Sequence, residues 1–328
     1  MKSCAHPALH VSIFRRVLGL FDHRLIFVTG KGGVGKSTVS IALGLLAARQ
    51  GLRTIVAELA SQERVQRSFD HEGEHFREVE LAEDLFTISI DPQSAMEEYL
   101  QVKTGPLSHM LGSSRLFHAF AMATPGMREL LSVGKIWELA QLERRTRGAA
   151  PYDLVIVDSP AAGHGVGILR TPKTFADIAR VGPIAHQGRT IAATIADRAF
   201  TAVVAVATAE EMPVNETLWL RDALAQDSLA LDAVFVNALY PERFDRDEAM
   251  ELGQAVDRAQ SPLARAALRA ALSEHARAAD QRDQQARLSE GLGSELIELP
   301  YLFAEALAKP ELELLADALA VGLGRRRA

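Results

Sequence analysis

The chain has 328 residues, with 36 Lys and Arg against 42 Asp and Glu, a formal net charge of −6 that carries no electrostatic footprint of nucleic-acid binding. Its one cysteine, Cys4, excludes an intramolecular disulfide and a cysteine cluster for zinc. A hydrophobic content of 48% is ordinary for a globular chain, and the length suits one large α/β domain or two modest ones. The longest apolar run, residues 199–209, is well short of the ~20 residues a membrane helix needs. The first residues show no long apolar core or cleavage pattern of a signal peptide. Together these point to a cytoplasmic chain, peripheral to a membrane at most.

Residues 11–21 (VSIFRRVLGLF) put Phe14, Val17, Leu18 and Phe21 on one helical face beside Arg15 and Arg16. Such a segment either docks on its own domain or lies on a membrane surface. Residues 24–29 (RLIFVT) form a short apolar run that reads as a buried parallel strand. It leads into Gly30, Lys31, Gly32, Gly33, Val34, Gly35, Lys36 and Ser37, which fit the phosphate-loop pattern G-x-x-x-x-G-K-[ST]. Val39, Ile41, Ala42, Leu45 and Leu46 then recur with helical spacing, and Gly51 sits where a helix C-cap belongs. Strand, glycine loop and helix make a phosphate site. Glycines let backbone N–H groups turn inward, and the helix N-terminus adds its positive dipole end. In such a site Lys36 reaches the β- and γ-phosphates, the Ser37 hydroxyl binds Mg²⁺, and Thr38 is placed for the α-phosphate.

Residues 54–59 (TIVAEL) read as a second strand, with Glu58 at the carboxyl end where α/β sheets place ligands. Residues 62–75 are polar, and 85–90 (LFTISI) form a third strand before Asp91. Residues 94–145 leave the α/β alternation. They read as a helical insertion broken at Gly105-Pro106, Gly112 and Pro125-Gly126, and they carry Met96, Met110, Met122 and Met127. Residues 152–157 form a strand ending at Asp158, the position from which a carboxylate holds Mg²⁺ beside a phosphate loop. A tight turn, 159–164, follows. A second helical insertion covers about 172–200, with a break near Gly182-Pro183. Residues 201–207 form a strand, 213–225 a helix, and 230–236 a strand ending at Asn237. Residues 242–290 read as helical, 295–299 as a last strand and 310–323 as a last helix; the tail 324–328 reads as a solvated end. No internal repeat appears. The expected fold is therefore α/β: a doubly wound, mostly parallel sheet flanked by helices, in a single phosphate-loop domain spanning 1–328.

A lysine directly after the first glycine, in GKGGVGKST at residues 30–38, resembles the deviant Walker A loop of the signature-lysine ATPases. The landmarks together look like the family of the arsenite-pump ATPase and the tail-anchored-protein targeting ATPase. VDSPAAGH at 157–164 resembles its second switch. AEEMPVNET at 209–217 resembles the segment after the next strand. VNALYPE at 236–242 resembles the stretch whose asparagine, here Asn237, recognises adenine. LPYLFAEAL at 299–307, with Pro300 and Tyr301, resembles the loop that closes over the base. The resemblance implies ATP and Mg²⁺ as ligands, catalytic roles for Lys31, Lys36, Glu58 and Asp158, and a nucleotide-dependent dimer, either of two copies or with a related subunit. Lys31 would reach the nucleotide across that dimer.

Two departures from the family stand out. The first switch usually carries Asp-Pro-Ala-His, whose aspartate positions the attacking water; here the place reads Glu58-Leu59-Ala60-Ser61. The targeting ATPase's zinc-binding Cys-x-x-Cys pair and the pump's metalloid-binding cysteines are missing. His164 belongs to the switch turn and reads as a structural hydrogen-bonding residue, and the scattered His109, His118 and His186, without metal-ligand spacing, read as structural. Three functions stay open: a switch for hydrophobic or membrane-protein clients, the motor subunit of an arsenite or other anion pump, and a weakly hydrolysing ATP-dependent binding module. Leu111, Leu116, Phe117, Phe120 and Leu131, with Met110, Met122 and Met127, form either a client surface or the packing of the insertion's own core or a dimer interface.

Overall fold

The computed structural model describes residues 19–59, 64–69, 75–104, 124–145, 148–179, 182–305 and 307–324. The expectations for Phe14, Val17 and Leu18, and for His109, Met110, Leu111, Leu116, Phe117, His118, Phe120 and Met122, lie outside these residues, as do those for Ala60 and Ser61 and for most of the tail.

Eight strands form one sheet: β1 (Leu25–Thr29), β2 (Thr54–Glu58), β3 (Val79–Ala82), β4 (Leu85–Ser89), β5 (Leu154–Asp158), β6 (Thr201–Thr208), β7 (Ala233–Leu239) and β8 (Ile297–Pro300). Their order is β3-β4-β2-β5-β1-β6-β7-β8, and every neighbouring pair is parallel except β3 with β4. Strands β1, β2, β4 and β5 are buried along nearly their whole length, which is why they read as unbroken apolar runs.

Helices cover both faces. Alternate residues of each strand feed two cores. Ile26 and Val28 join α1 (Lys36–Ala48) and α10 (Lys309–Gly322) in one layer, with Leu20 closing its edge. Leu25 and Phe27 join the other layer, built from α4 (Met127–Leu139), α5 (Ala162–Ala179), α6 (Pro183–Ala196), α7 (Glu211–Gln226) and α9 (Pro262–Leu292). Each fully buried Leu, Ile, Val or Phe contributes roughly 1.5–3 kcal/mol from area removed from water. The remaining helices are the single turn α2 (Arg64–Arg67), then α3 (Pro92–Thr104) and α8 (Arg246–Arg258).

The helical expectation for residues 94–145 corresponds to α3 and α4, which pack on each other. The expected helices within 172–200 begin earlier. Helix α5 starts at Ala162, so the second half of the expected turn 159–164 is already helical; it runs through Pro172 to Ala179, and α6 follows from Pro183. Residues 242–290 form the pair α8 and α9. The N-terminus of α8 is a capping box of Asp245 and Glu248, and Gly293 in the left-handed region ends α9. Strand β3 had no sequence signature. It is a half-exposed edge strand of four residues, with a register shift against β4.

β1 lies between β5 and β6, where the chain's crossovers diverge to opposite sides of the sheet. Such a switch point opens a crevice at the carboxyl ends of the strands, and the glycine loop leaves β1 into it. Among the described residues no helix is long and apolar enough to cross a membrane.

Candidate functional site

The loop between β1 and α1 takes its shape from two glycines. Gly30 has φ +144, and a Cβ there would lie 2.1 Å from the carbonyl oxygen of Val206 on β6. Gly35 has φ +90, and a Cβ there would lie 2.3 Å from Asn237 Nδ2. Neither position admits a side chain, so the loop lies flat against the ends of β6 and β7. Gly32 and Gly33 are exposed, and a Cβ on either would meet nothing within 4 Å, so the loop's outer side is open. Val34 is buried and anchors the loop's middle.

The side chains of the loop have definite partners. Lys36 Nζ donates to the backbone oxygen of Lys31 at 2.9 Å. Ser37 Oγ, in the first turn of α1, donates to Asp158 Oδ2 at 2.6 Å. Lys31 Nζ lies 3.9 Å from Glu216 Oε2 on α7. Asn237 Nδ2 donates to the backbone oxygen of Val34 at 2.9 Å. Thr38 is half-buried one residue further along α1.

Asp158 ends β5 and Glu58 ends β2, and the two are register partners across that parallel pair. Their side chains therefore share a face of the sheet. Glu58 is only 2% exposed. The backbone N–H of Leu59 donates to the oxygen of Asp158 at 3.4 Å, so the chain leaving Glu58 stays beside the end of β5. Ala162 N–H, at the start of α5, donates to the oxygen of Gly30 at 3.0 Å, tying the segment after β5 to the loop itself.

These residues fit a magnesium nucleotide. Ser37 and Asp158 bring a hydroxyl and a carboxylate oxygen within hydrogen-bond distance, and hard oxygen donors of this kind suit Mg²⁺. The open glycines at the mouth of a helix N-terminus suit an anion.

The residues expected to surround a base divide between two settings. Asn237 turns to the loop. Tyr301, just after β8, stacks on Tyr240 with ring centroids 4.6 Å apart and an interplanar angle of 11°. Phe303 meets both rings edge-on. Pro300 ends β8, and the N–H of Tyr301 donates to the oxygen of Leu239 at 2.8 Å, which keeps this segment beside β7. A cavity of about 670 Å³ opens beside Tyr240 and Tyr301, with Thr208 and Ala238 at the strand ends and Arg277 of α9 across from them. His186 is exposed on α6, and His164 falls in the first turns of α5.

One feature of the insertion carried no sequence signal. Lys135 and Glu138 of α4 are buried, and the Arg144 side chain is only 1% exposed. Lys135 Nζ lies 2.8 Å from Glu98 of α3 and 3.0 Å from Glu138. Arg144 bonds Glu138 at 3.0 Å and also pairs with Glu78, which accepts from the Tyr152 hydroxyl at 2.7 Å. Burial pushes the Glu138 carboxyl up, but Lys135, the N–H of Arg145 and Arg144 together outweigh it and hold it below its ordinary value. Burial and the hydrogen bond to Glu78 push the Tyr152 phenol up. The burial of Lys135 and Glu138 comes from the packing of α4 against α3 and α5.

Residues 23–187 and 176–261 match the anion-transporting ATPase family. The chain belongs to that family. It is 31% identical over 247 residues to the ATPase BagA of Mycobacterium tuberculosis, covering 71% of this chain and 69% of that one. It is 26% identical over 246 residues to the arsenical pump-driving ATPase of Acidiphilium multivorum, covering 69% of this chain and 41% of that one. It is also 28% identical over 155 residues to the ATPase GET3 of Podospora anserina, covering 46% of this chain and 44% of that one.

Proposed function

We propose that this chain is a cytoplasmic ATPase that binds ATP with Mg²⁺ at residues 30–38 and Asp158, hydrolyses it, and uses the change to switch a surface for hydrophobic clients. The observation that carries this reading is the Ser37–Asp158 contact at the foot of the glycine loop. It joins the loop to the strand that leads into α5, so one site serves both ligand binding and switching. Lys36 supplies a point charge to the phosphates, and Lys31 a second. When bound, Mg²⁺ neutralises charge on the phosphate oxygens, with Ser37 and Asp158 as its protein ligands. Glu58 orients the attacking water. Its carboxylate stands one methylene further from the backbone than an aspartate would, and displacing a catalytic group by about 1 Å can cost ~10²-fold in rate. Turnover is accordingly expected to be slow.

Coupling to a client follows the path of α5. That helix packs along α6 and against α4, and α4 packs on α3. Between α3, α4 and α6 lies a cavity of about 170 Å³, floored by Met96, Met127, Leu130, Leu131 and Ile191. Glu98, Lys135 and Arg145 also line it. An apolar floor with charged groups beside it supports docking of an apolar side chain from a hydrophobic helical segment, and methionines adapt to varied partners. A labelled transmembrane-type peptide titrated into ATP- and ADP-loaded protein is expected to bind with different affinities, because a ligand can shift a switch only by its differential affinity for the two states. Equal affinity, or no binding, would reduce α3, α4 and α6 to structural packing. Soft arsenite favours several thiolate ligands, and the single cysteine disfavours a metalloid-pump role. Turnover raised by the metalloid and not by the peptide would reverse that preference.

The switch acts as a dimer joined across the phosphate loops, with Lys31 reaching the partner's nucleotide. The Lys31 side chain is 32% exposed and so is accessible to a second subunit. Light scattering is expected to show a dimer with a non-hydrolysable ATP analogue and a monomer for Lys31→Ala. A parent protein that stays monomeric with every nucleotide would contradict this.

A further inference from the structure

Lys31 Nζ lies 3.9 Å from Glu216 Oε2, and both side chains are about one-third exposed. Glu216 stands on a rigid support. Its neighbours in α7, Val214, Thr217 and Leu220, are buried, and the Thr217 hydroxyl donates to the oxygen of Pro213 at 2.8 Å. Strand β6, which leads into α7, touches the start of the glycine loop where Val206 meets Gly30. The turn of α7 that carries Glu216 is therefore fixed beside the loop by core packing, not by the loop's own conformation.

A carboxylate in that position acts on an arriving triphosphate through Lys31. It restrains the ammonium group that would otherwise turn to the phosphates. We propose that Glu216 is a positioning residue that holds Lys31 within its own subunit, and that formation of the ATP-bound dimer transfers Lys31 from Glu216 to the partner's phosphates. The proposal rests on the reading of residues 30–38 as the ATP site. It adds a residue that the glycine-loop motif does not contain, and it makes Glu216 a brake on nucleotide affinity. Because the restraint acts through Lys31, its effect depends on the charge of the nucleotide and is greater for ATP than for ADP.

Displacement titration of a fluorescent ATP analogue, repeated with ADP, tests this on the parent, Glu216→Gln, Lys31→Ala and the double variant. Coupling within a partly exposed pair is modest, so Glu216→Gln is expected to tighten ATP about threefold, and ADP less. In the Lys31→Ala background the same substitution is expected to leave ATP affinity nearly unchanged. An equal gain in both backgrounds would make Glu216 a bare repulsive charge and overturn the proposal. So would unchanged or weaker ATP binding by Glu216→Gln. Melting temperatures close to the parent's confirm that the variants are folded. A parent that does not bind ATP, or a Lys36→Ala variant that binds it as well as the parent, would bring down the loop assignment itself, and the proposal with it.

Discussion

Lys36→Ala is expected to abolish tight ATP binding. The ammonium group already reaches back over the loop, donating to the oxygen of Lys31 at 2.9 Å, so it lies inside the curve that the glycines form. A bound phosphate would replace that neutral acceptor with a charged one. Hydrogen bonds to charged groups contribute about 1.5–3 kcal/mol each, so the loss corresponds to roughly 10–10²-fold in affinity for each bond removed. Alanine keeps the helical propensity of the first turn of α1, so the fold is expected to survive. Isothermal titration with ATP and Mg²⁺ measures the effect. A variant that binds as tightly as the parent would show that the loop is not the nucleotide site.

Glu138→Gln is expected to cost several kcal/mol of stability without touching the loop. Glu138 is 1% exposed and serves two cations at once, Lys135 and Arg144. The amide that replaces it fills the same space but leaves both cations without their shared anion. Removing one partner of a buried ion pair costs about 3–5 kcal/mol, because the charge left behind remains out of water. Urea unfolding at neutral pH measures the loss; a change under about 1 kcal/mol would mean that the group is solvated after all. The same group gives a pH dependence of defined sign. Its folded-state pKa is lowered, so its contribution is fully present above the ordinary carboxylate range. That contribution is lost as the pH falls below the ordinary value and through the folded one. The parent is expected to lose stability on acidification more steeply than Glu138→Gln. Parallel acid profiles for the two proteins would remove Glu138 from the cause.

Much of the sheet was legible because a strand buried on both faces must be apolar along its length. The runs at 24–29, 54–59, 152–157 and 201–207 became β1, β2, β5 and β6, shifted by two residues at most. The edge strand β3 escaped notice because half-exposed positions let glutamate and alanine interrupt the pattern. The position of Glu58 at a strand end was legible, but its burial and its register with Asp158 were not, because register belongs to the pair and not to either strand.

The glycine loop was decided by the sequence alone. Only glycine accepts the backbone of Gly30 and Gly35 with β6 and Asn237 pressed against them. Tertiary structure decided where the partners of those residues came from. Asn237 went to the loop and Tyr301 to Tyr240, Glu216 came to Lys31, and the charges of α3 and α4 turned inward around Glu138. Apart from the contacts of Glu138 with Lys135 and Arg144, each of these joins residues far apart in the chain. A local motif is set by the conformations its own residues permit, whereas a charge or an amide takes the nearest partner that packing brings, and packing depends on every element at once.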